Sequence, residues 1–394
     1  MKIKSVERIP VLYHVMKKGW GEEGETHSKK YELWPSTMPC VLVKITTTNG
    51  LTGIGESMAM DWYLGNTQSH NFALLGLYAK QLQGEDPTNV ERIHKILLSS
   101  SGRGHPNARS ADDAIDMALL DLLGQAWGEP VCTILGGFHH TKIPINPNLY
   151  LGTPEDMAQE AKEFVRRGYK ALKIKCGMDI EQEGWSLETA RHDLAKLTRT
   201  LEEVPETILI DADPNQSWGN YKRAISIVKA YNLERYLNLG IEQPVHYLDI
   251  EGARKIAKAI KLQLILDESI FSPEAFAEVI RRNAADRIVL KTSRVGGIYV
   301  ARKMITMAET FGINVAIDSL PYSRIGDTAM CHLAATIKEP YPGDFETHTW
   351  LKENPVKRGG LVIEDGYAKV PSAPGLGIEL DEDAIEKMRV QINQ

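Results

Sequence analysis

Five consecutive apolar runs in the middle of this 394-residue chain end in charged residues. One closes on Lys173-Ile174-Lys175, the next on Asp211-Ala212-Asp213-Pro214-Asn215, and the following three on Glu242, on Asp267-Glu268 and on Lys291. A charged residue where a strand emerges into water is ordinary when taken singly. Jointly the order is unusual, because acids end three successive runs and lysines end the runs on either side. Three carboxylates drawn together would repel one another unless a cation joined them, and an all-oxygen donor set selects Mg²⁺ or Mn²⁺ over zinc.

Such a cation defines work for the lysines. A substrate carboxylate bound to it has an acidified α-hydrogen, since the enediolate left by proton loss places extra negative charge on oxygens that face the metal. A neutral lysine is the base. Residues two apart on a strand share a side, so Lys173 and Lys175 point together, and so do Asp211 and Asp213. Lys173 is expected to tune Lys175 by disfavouring its ammonium form. Lys291 is expected to approach from the opposite side of the site.

The elements that must position these residues follow from the alternation of short apolar runs with helical segments between about residues 142 and 337. The runs are Ile143 to Tyr150, Ala171 to Lys175, Thr207 to Asp213, Leu239 to Glu242, Gln263 to Asp267, Arg287 to Lys291 and Ile313 to Asp318. Thr153-Pro154-Glu155 and Gly168 read as the start and stop of a helix. Repeated βα units of this length predict parallel strands, and seven or eight of them close most naturally into a barrel whose site lies at the C-terminal strand ends. An open doubly wound sheet is the alternative, but no GxGxxG loop follows any run. Before the barrel, Met38 to Thr48, the Asn49-Gly50 turn and Leu51 to Ser57 predict a hairpin followed by helices, an α+β module. Residues 1–130 are assigned to this capping domain, 131–340 to the barrel, and 341–394 to a C-terminal segment completing both. Lys17 to Ser36, rich in Gly and charge and carrying Trp20 and Trp34, is expected to be a lid over the site.

Lys-x-Lys, then Asp213-Pro214-Asn215, Glu242-Gln243-Pro244, Asp267-Glu268-Ser269 and Lys291 ahead of Gly296-Gly297 together resemble the enolase superfamily, muconate lactonizing enzyme subgroup. The resemblance covers nearly the whole chain, including Gly53-Ile54-Gly55-Glu56 and Gly375-Leu376-Gly377-Ile378. It implies a (β/α)7β-type modified TIM barrel, α/β in class, with an α+β capping domain formed by the N-terminal region and the C-terminal tail. It implies that Asp213, Glu242 and Asp267 bind Mg²⁺, that Lys175 and Lys291 are the acid/base pair, and that Lys173 is auxiliary. Glu268 and Asn215 are expected to support the ligands from behind, and a symmetric homo-oligomer is expected. The pattern has one Asp before the Asn where this chain has two, so Asp211 and Asp213 compete; Asp213 is favoured because Asn215-Gln216-Ser217-Trp218 continues in register. The relatives with a catalytic histidine, resembling mandelate racemase, are set aside, because the seventh run ends Ile317-Asp318-Ser319 and none of His246, His332 or His348 stands there.

Two bases on opposite faces of one α-carbon suit a racemase or epimerase of an amino acid or its derivative, a proline type included. Muconate-type cycloisomerisation, syn-dehydration of a β-hydroxy acid such as a hydroxyproline, and a non-catalytic metal- and ligand-binding barrel are the alternatives. Asn148, Tyr150, Asp318, Ser319 and Trp20 are the candidate substrate contacts, with Asp318 suited to a substrate ammonium or hydroxyl. The partner is thus a small-molecule carboxylate. Lys+Arg 46 against Asp+Glu 52, a net charge of −6, disfavours nucleic acid and anionic membrane surfaces. The four cysteines are far apart with no CxxC pair, and no run approaches the ~18 apolar residues of a membrane span, so a reduced, cytoplasmic setting is expected.

Overall fold

The Asn49-Gly50 turn reverses the chain between strands β2 (Thr37–Thr47) and β3 (Thr52–Met58), and β1 (Ile3–His14) adds to the other edge of β2, giving an antiparallel sheet in the order β1-β2-β3. The computed structural model describes residues 1–16, 36–100, 109–149 and 152–392. Helices α1 (Gln68–Leu82), α2 (Val90–Ser100) and α3 (Arg109–Trp127) cover the sheet, and Val41, Val43, Ile45, Leu75, Tyr78, Ala114, Ala118 and Leu122 form one buried cluster between them. The helix lies unusually close to β3. A Cβ at Gly55 would stand 2.0 Å from the Ala114 carbonyl oxygen, so only glycine admits this approach.

The barrel strands are β5 (Asn148–Leu149), β6 (Ala171–Lys175), β7 (Leu209–Asp213), β8 (Leu239–Glu242), β9 (Gln263–Leu266), β10 (Arg287–Leu290) and β11 (Asn314–Ile317), each hydrogen-bonded in parallel to the next. Their residues are almost wholly buried, as expected of parallel strands covered on both faces. Residues 341–343 take the eighth place: Tyr341 bridges Ala316 of β11 and Gly343 bridges Ile145, which closes the sheet on itself. The helix start predicted at Thr153-Pro154-Glu155 is present, and a second intervening helix has a comparable one. Pro154–Arg166 opens on a capping box in which the Thr153 side chain and Asp156 bond each other's backbone, and Pro273–Arg282 opens on Ser272 with proline next.

One run divides. Ile143 to Tyr150 is not a single strand, because Lys142–Pro144 (β4) pairs with Tyr367–Lys369 of the C-terminal segment, while only Asn148 and Leu149 join the barrel. Pro144 and Pro147 explain the break, since proline cannot donate to a ladder.

The C-terminal segment touches both parts. Arg389 bridges Val11 of β1, and Leu376 N donates to Asp121 of α3 at 2.8 Å. Glu56, at the end of the return strand, crosses the other way. Fully buried, it accepts from Ser323 N, Ser323 Oγ and Gly326 N at 3.0, 2.8 and 3.1 Å, at the start of the helix Arg324–Ala334 that follows β11. An acid at a helix N-terminus is well placed electrostatically. Among the described residues no helix is long and apolar enough to cross a membrane.

Candidate active site

The parallel register sets the charged residues side by side at the barrel mouth. Lys173 pairs with Asp211 and Lys175 with Asp213 across β6 and β7, and Glu242 pairs with Ile265 two residues before Asp267. The turns that follow are pinned. Asn215 and Gln216 adopt left-handed conformations (φ 42° and 70°), and Asn215 N donates to Asp213 Oδ1 at 2.9 Å. Gln243, also left-handed at φ 36°, accepts on its Oε1 from Asp267 N at 3.0 Å and Ser269 N at 3.2 Å, so one side chain fixes the end of β9 relative to β8. The sequence offered Gln243 only as part of a motif.

Every acid in this row is drawn onto a cation. Lys173 Nζ reaches Glu242 Oε1 at 3.1 Å and makes a short bond to Asp318 Oδ2; Lys175 Nζ makes a short bond to Asp213 Oδ2. Lys291 Nζ stands 2.6 Å from Asp267 Oδ2 and 3.9 Å from Asp318 Oδ2, and Arg294 Nη1 bonds Asp267 Oδ1 at 2.7 Å. Lys173 and Lys291 thus meet on one carboxylate from strands on opposite sides of the row. Tyr63 of the capping domain joins the edge, its hydroxyl 2.6 Å from Arg294 Nη2 and 3.3 Å from Asp267 Oδ2. Tyr63 and Arg294 were not foreseen. Arg294 lies three residues beyond Lys291 on the turn Thr292–Val295, a placement with no periodic signature in sequence.

The electrostatics follow. Burial pushes the Glu242 carboxyl well above the usual range, Asp213 and Asp267 add to this, and Lys173 opposes it. Asp267 is buried too, yet the Arg294 and Lys291 charges outweigh that and hold it far below the usual range. Burial opposes the Lys173 ammonium, but Asp318, Glu242 and Asp344 prevail and raise its pKa well above the lysine value. For Lys175, burial and then Lys173 act downward while Asp213 acts upward, and the net direction is up. Lys173 thus acts on Lys175 in the expected direction, but Asp213, with Glu242, outweighs it and the burial.

The donor set fits a hard cation. Glu242 Oε2 and Glu268 Oε2 are buried with no hydrogen-bond partner among the described residues, and the Glu242 carboxyl is in electrostatic contact with Asp213 and Asp267. The acids turn to the lysines and Arg294, and among the described residues no group of three acidic, histidine or cysteine side chains is clustered around an ion site. Asp211 is engaged by other partners: it makes a short ion pair with Arg287 and accepts from Asn146 Nδ2 at 2.9 Å. Asn215 and Gln216 both reach Glu268 Oε1, at 3.4 and 3.2 Å.

Of the other candidates, Asn148 is buried and donates to Asp344 Oδ2 at 2.5 Å, and Ser319 Oγ lies 3.2 Å from Thr347 Oγ1. Asp318 is engaged by Lys173 and lies within ion-pair reach of Lys291. Asp344, missed in sequence because it follows the last regular run, has a buried Oδ1 with no hydrogen-bond partner among the described residues; burial and Asp318 raise its pKa to about 6 against the pull of Lys173. Trp20, Tyr150 and all of the expected lid Lys17 to Ser36 except Ser36 lie outside the described residues. His332 is a packed helix residue, and His348 Nδ1 pairs with Asp327 Oδ2 at 2.7 Å.

Residues 156–384 match the family model for the enolase C-terminal domain-like fold, and residues 35–136 that for the mandelate racemase/muconate lactonizing enzyme N-terminal domain. The chain belongs to the mandelate racemase/muconate lactonizing enzyme family. Within this family it is 31% identical over 361 residues to an N-succinyl-L-Arg/Lys racemase of Bacillus cereus, covering 90% of this chain and 91% of that protein. It is 30% identical to an L-Ala-D/L-Glu epimerase of Bacillus subtilis, covering 87% of this chain and 89% of the epimerase. Among solved family structures, a dipeptide epimerase from Enterococcus faecalis complexed with Mg and the dipeptide L-Leu-L-Tyr superposes with a TM-score of 0.83 at 29% identity, covering 96% of this chain and 99% of that one. The mandelate racemase/muconate lactonizing enzyme fold thus extends over both parts of the chain.

Proposed function

We propose that this protein is a racemase or epimerase that inverts the α-carbon of an amino acid derivative, with Lys175 and Lys291 as the two proton-transfer groups. The observation that carries the reading is the placement of these lysines at the ends of β6 and β10, with the three acid-ended strands β7, β8 and β9 between them. A substrate whose carboxylate lies over the acids presents one face of its α-carbon to each lysine. One lysine, neutral, takes the proton; the other, as ammonium, returns one to the opposite face.

Asp213, Glu242 and Asp267 are the residues that would hold a divalent cation, Mg²⁺ by preference. When bound, it supplies positive charge against the negative charge that develops on the substrate carboxylate as the α-proton leaves. Asp213 is the carboxylate that favours the Lys175 ammonium form, so with Asp213 engaged as a ligand Lys175 would be freer to act as a neutral base, and with Asp267 so engaged Lys291 would be freed from its ion pair. Lys173, buried between Glu242 and Asp318, is suited to holding the row in place and to donating toward the substrate carboxylate. Arg294 and Gln243 fix Asp267. Asp344, with a buried oxygen that has no hydrogen-bond partner among the described residues, suits an N–H group of the substrate, which favours an amino acid derivative over a plain dicarboxylate.

The test is incubation in D₂O, with Mg²⁺, of N-succinyl-L-arginine, N-succinyl-L-lysine, L-Ala-L-Glu, L-Leu-L-Tyr, cis-3-hydroxy-L-proline and a muconolactone, read by mass spectrometry. A gain of one deuterium together with the inverted epimer supports the reading. Loss of water without epimerisation replaces it with dehydration, and ring opening with cycloisomerisation.

A further inference from the structure

Helix α3 carries four buried acids, Asp112, Asp113, Asp116 and Asp121, where its sequence reads as an apolar core helix. Three of them serve the fold near at hand. Asp112 accepts from Tyr78 OH, Asp116 accepts from Tyr299 N and pairs with His94, and Asp121 accepts from Ile54 N and Leu376 N. Asp113 is different, because both of its partners belong to the two loops that border the site on the Lys291 side. Its Oδ2 accepts from Thr292 Oγ1 at 2.9 Å and from Tyr322 OH at 2.5 Å. Thr292 follows Lys291 directly. Tyr322 ends the stretch that leaves β11 through Asp318 and Ser319, the Asp318 carboxylate being the one that Lys173 and Lys291 share.

The two lysines are not held alike. Lys175 is the last residue of β6, in ladder register with Asp213, so the sheet itself places its Cα. Lys291 lies one residue past β10 and begins the turn Thr292–Val295, which leaves its position to whatever fixes that turn. A buried carboxyl is costly unless its bonds serve a purpose, and Asp113 spends both bonds of one oxygen on joining these loops while Oδ1 has no hydrogen-bond partner among the described residues. We propose that Asp113 is a positioning residue for Lys291, acting through Thr292, so that the capping domain sets the geometry of one of the two proton-transfer faces. This rests on the reading of Lys175 and Lys291 as the acid/base pair.

Two variants break the bridge, Thr292→Val, which keeps the shape and removes the hydroxyl, and Asp113→Ala. Asp113→Asn retains an oxygen able to accept both bonds, and burial lifts the Asp113 pKa to about 8, so an uncharged amide is a fair substitute. The assay is deuterium uptake from D₂O into each α-epimer of N-succinylarginine, the Lys291 face being the epimer whose exchange Lys291→Ala abolishes. Thr292→Val and Asp113→Ala are expected to slow exchange at that face by about 10- to 100-fold, the cost of misplacing a reacting group by ~1 Å. Exchange at the Lys175 face and KM are expected to stay within about twofold, and Asp113→Asn to restore the Lys291 face. Equal loss at both faces, or no loss at either, overturns the proposal.

A ligand-free measurement separates failure of this proposal from failure of the functional reading. In crystal structures, Asp113→Ala is expected to move Lys291 Nζ away from Asp267 Oδ2, 2.6 Å distant in the unaltered protein. An unmoved Lys291 overturns the proposal. If the unaltered protein exchanges no α-proton from this probe, the choice of probe or the functional reading fails, and the crystal structures still decide the role of Asp113.

Discussion

Asp211 and Asp213 sit two residues apart on β7 and share one side of the strand, yet they have different partners, Arg287 and Asn146 for the one and Lys175 for the other. Substituting each by asparagine tests the separate roles proposed for them. Asp211 is buried, with Arg287 bonded to one oxygen and Asn146 to the other, and the Arg287 guanidinium also lies 4.3 Å from the centre of the Tyr341 ring. Asp211→Asn removes the countercharge and leaves Arg287 inside the barrel. Breaking a buried pair from one side costs about 3–5 kcal/mol, and the retained amide oxygen and the Tyr341 contact place this case toward the lower end. The expected result is a stability loss of about 3 kcal/mol in urea denaturation followed by circular dichroism, with Mg²⁺ dependence of the remaining folded protein unchanged. Asp213→Asn should remove Mg²⁺ dependence and turnover. The reasoning is refuted if Asp211→Asn keeps its stability within about 1 kcal/mol, well below the cost of an orphaned buried charge, and loses metal dependence.

Glu242→Gln should abolish Mg²⁺ binding in calorimetry and lower kcat/KM by more than about 10²-fold, since removing the central carboxylate forfeits several kcal/mol of charge stabilisation; retained Mg²⁺-dependent turnover would contradict the ligand set. Arg294→Met should loosen Asp267, which Arg294 holds through both its side chain and its carbonyl, and raise the Mg²⁺ concentration needed for half activity by about 10- to 100-fold. Acid should weaken the fold through His332. Burial lowers its pKa from 6.5 to about 4, so its contribution is fully present above pH 6.5 and is lost as pH falls through about 4. That contribution is about 3 kcal/mol at most, and His332→Gln should flatten the fall in stability between pH 6.5 and 4; an unchanged profile would assign acid sensitivity to other groups.

The charged strand ends were legible because each terminates a short apolar run, and a barrel brings such ends to one face. Period-two alternation could not choose between Asp211 and Asp213, since it places both on the same side. What distinguishes them is Arg287, at the start of a strand 76 residues away, reaching Asp211 across the barrel interior. The split of Ile143 to Tyr150 was written in Pro144 and Pro147, but the competing partner for β4 lies in the C-terminal hairpin, beyond any local signal. Asp113 was illegible for a related reason. On a helix an acid ordinarily marks the solvent face, and only the packing of α3 against both β3 and the turn after Lys291 turns that face inward. Asp344 escaped because it follows an isolated bridge rather than a strand with its own periodicity.

The central claim is that two lysines attend opposite faces of one α-carbon. The measurement that tests it most directly is deuterium uptake from D₂O into each α-epimer of one substrate, compared between Lys175→Ala and Lys291→Ala. The account predicts that neither variant epimerises and that each still exchanges the α-proton of one epimer only, a different epimer for each. Loss of exchange from the same epimer in both variants, or epimerisation by either, would contradict it.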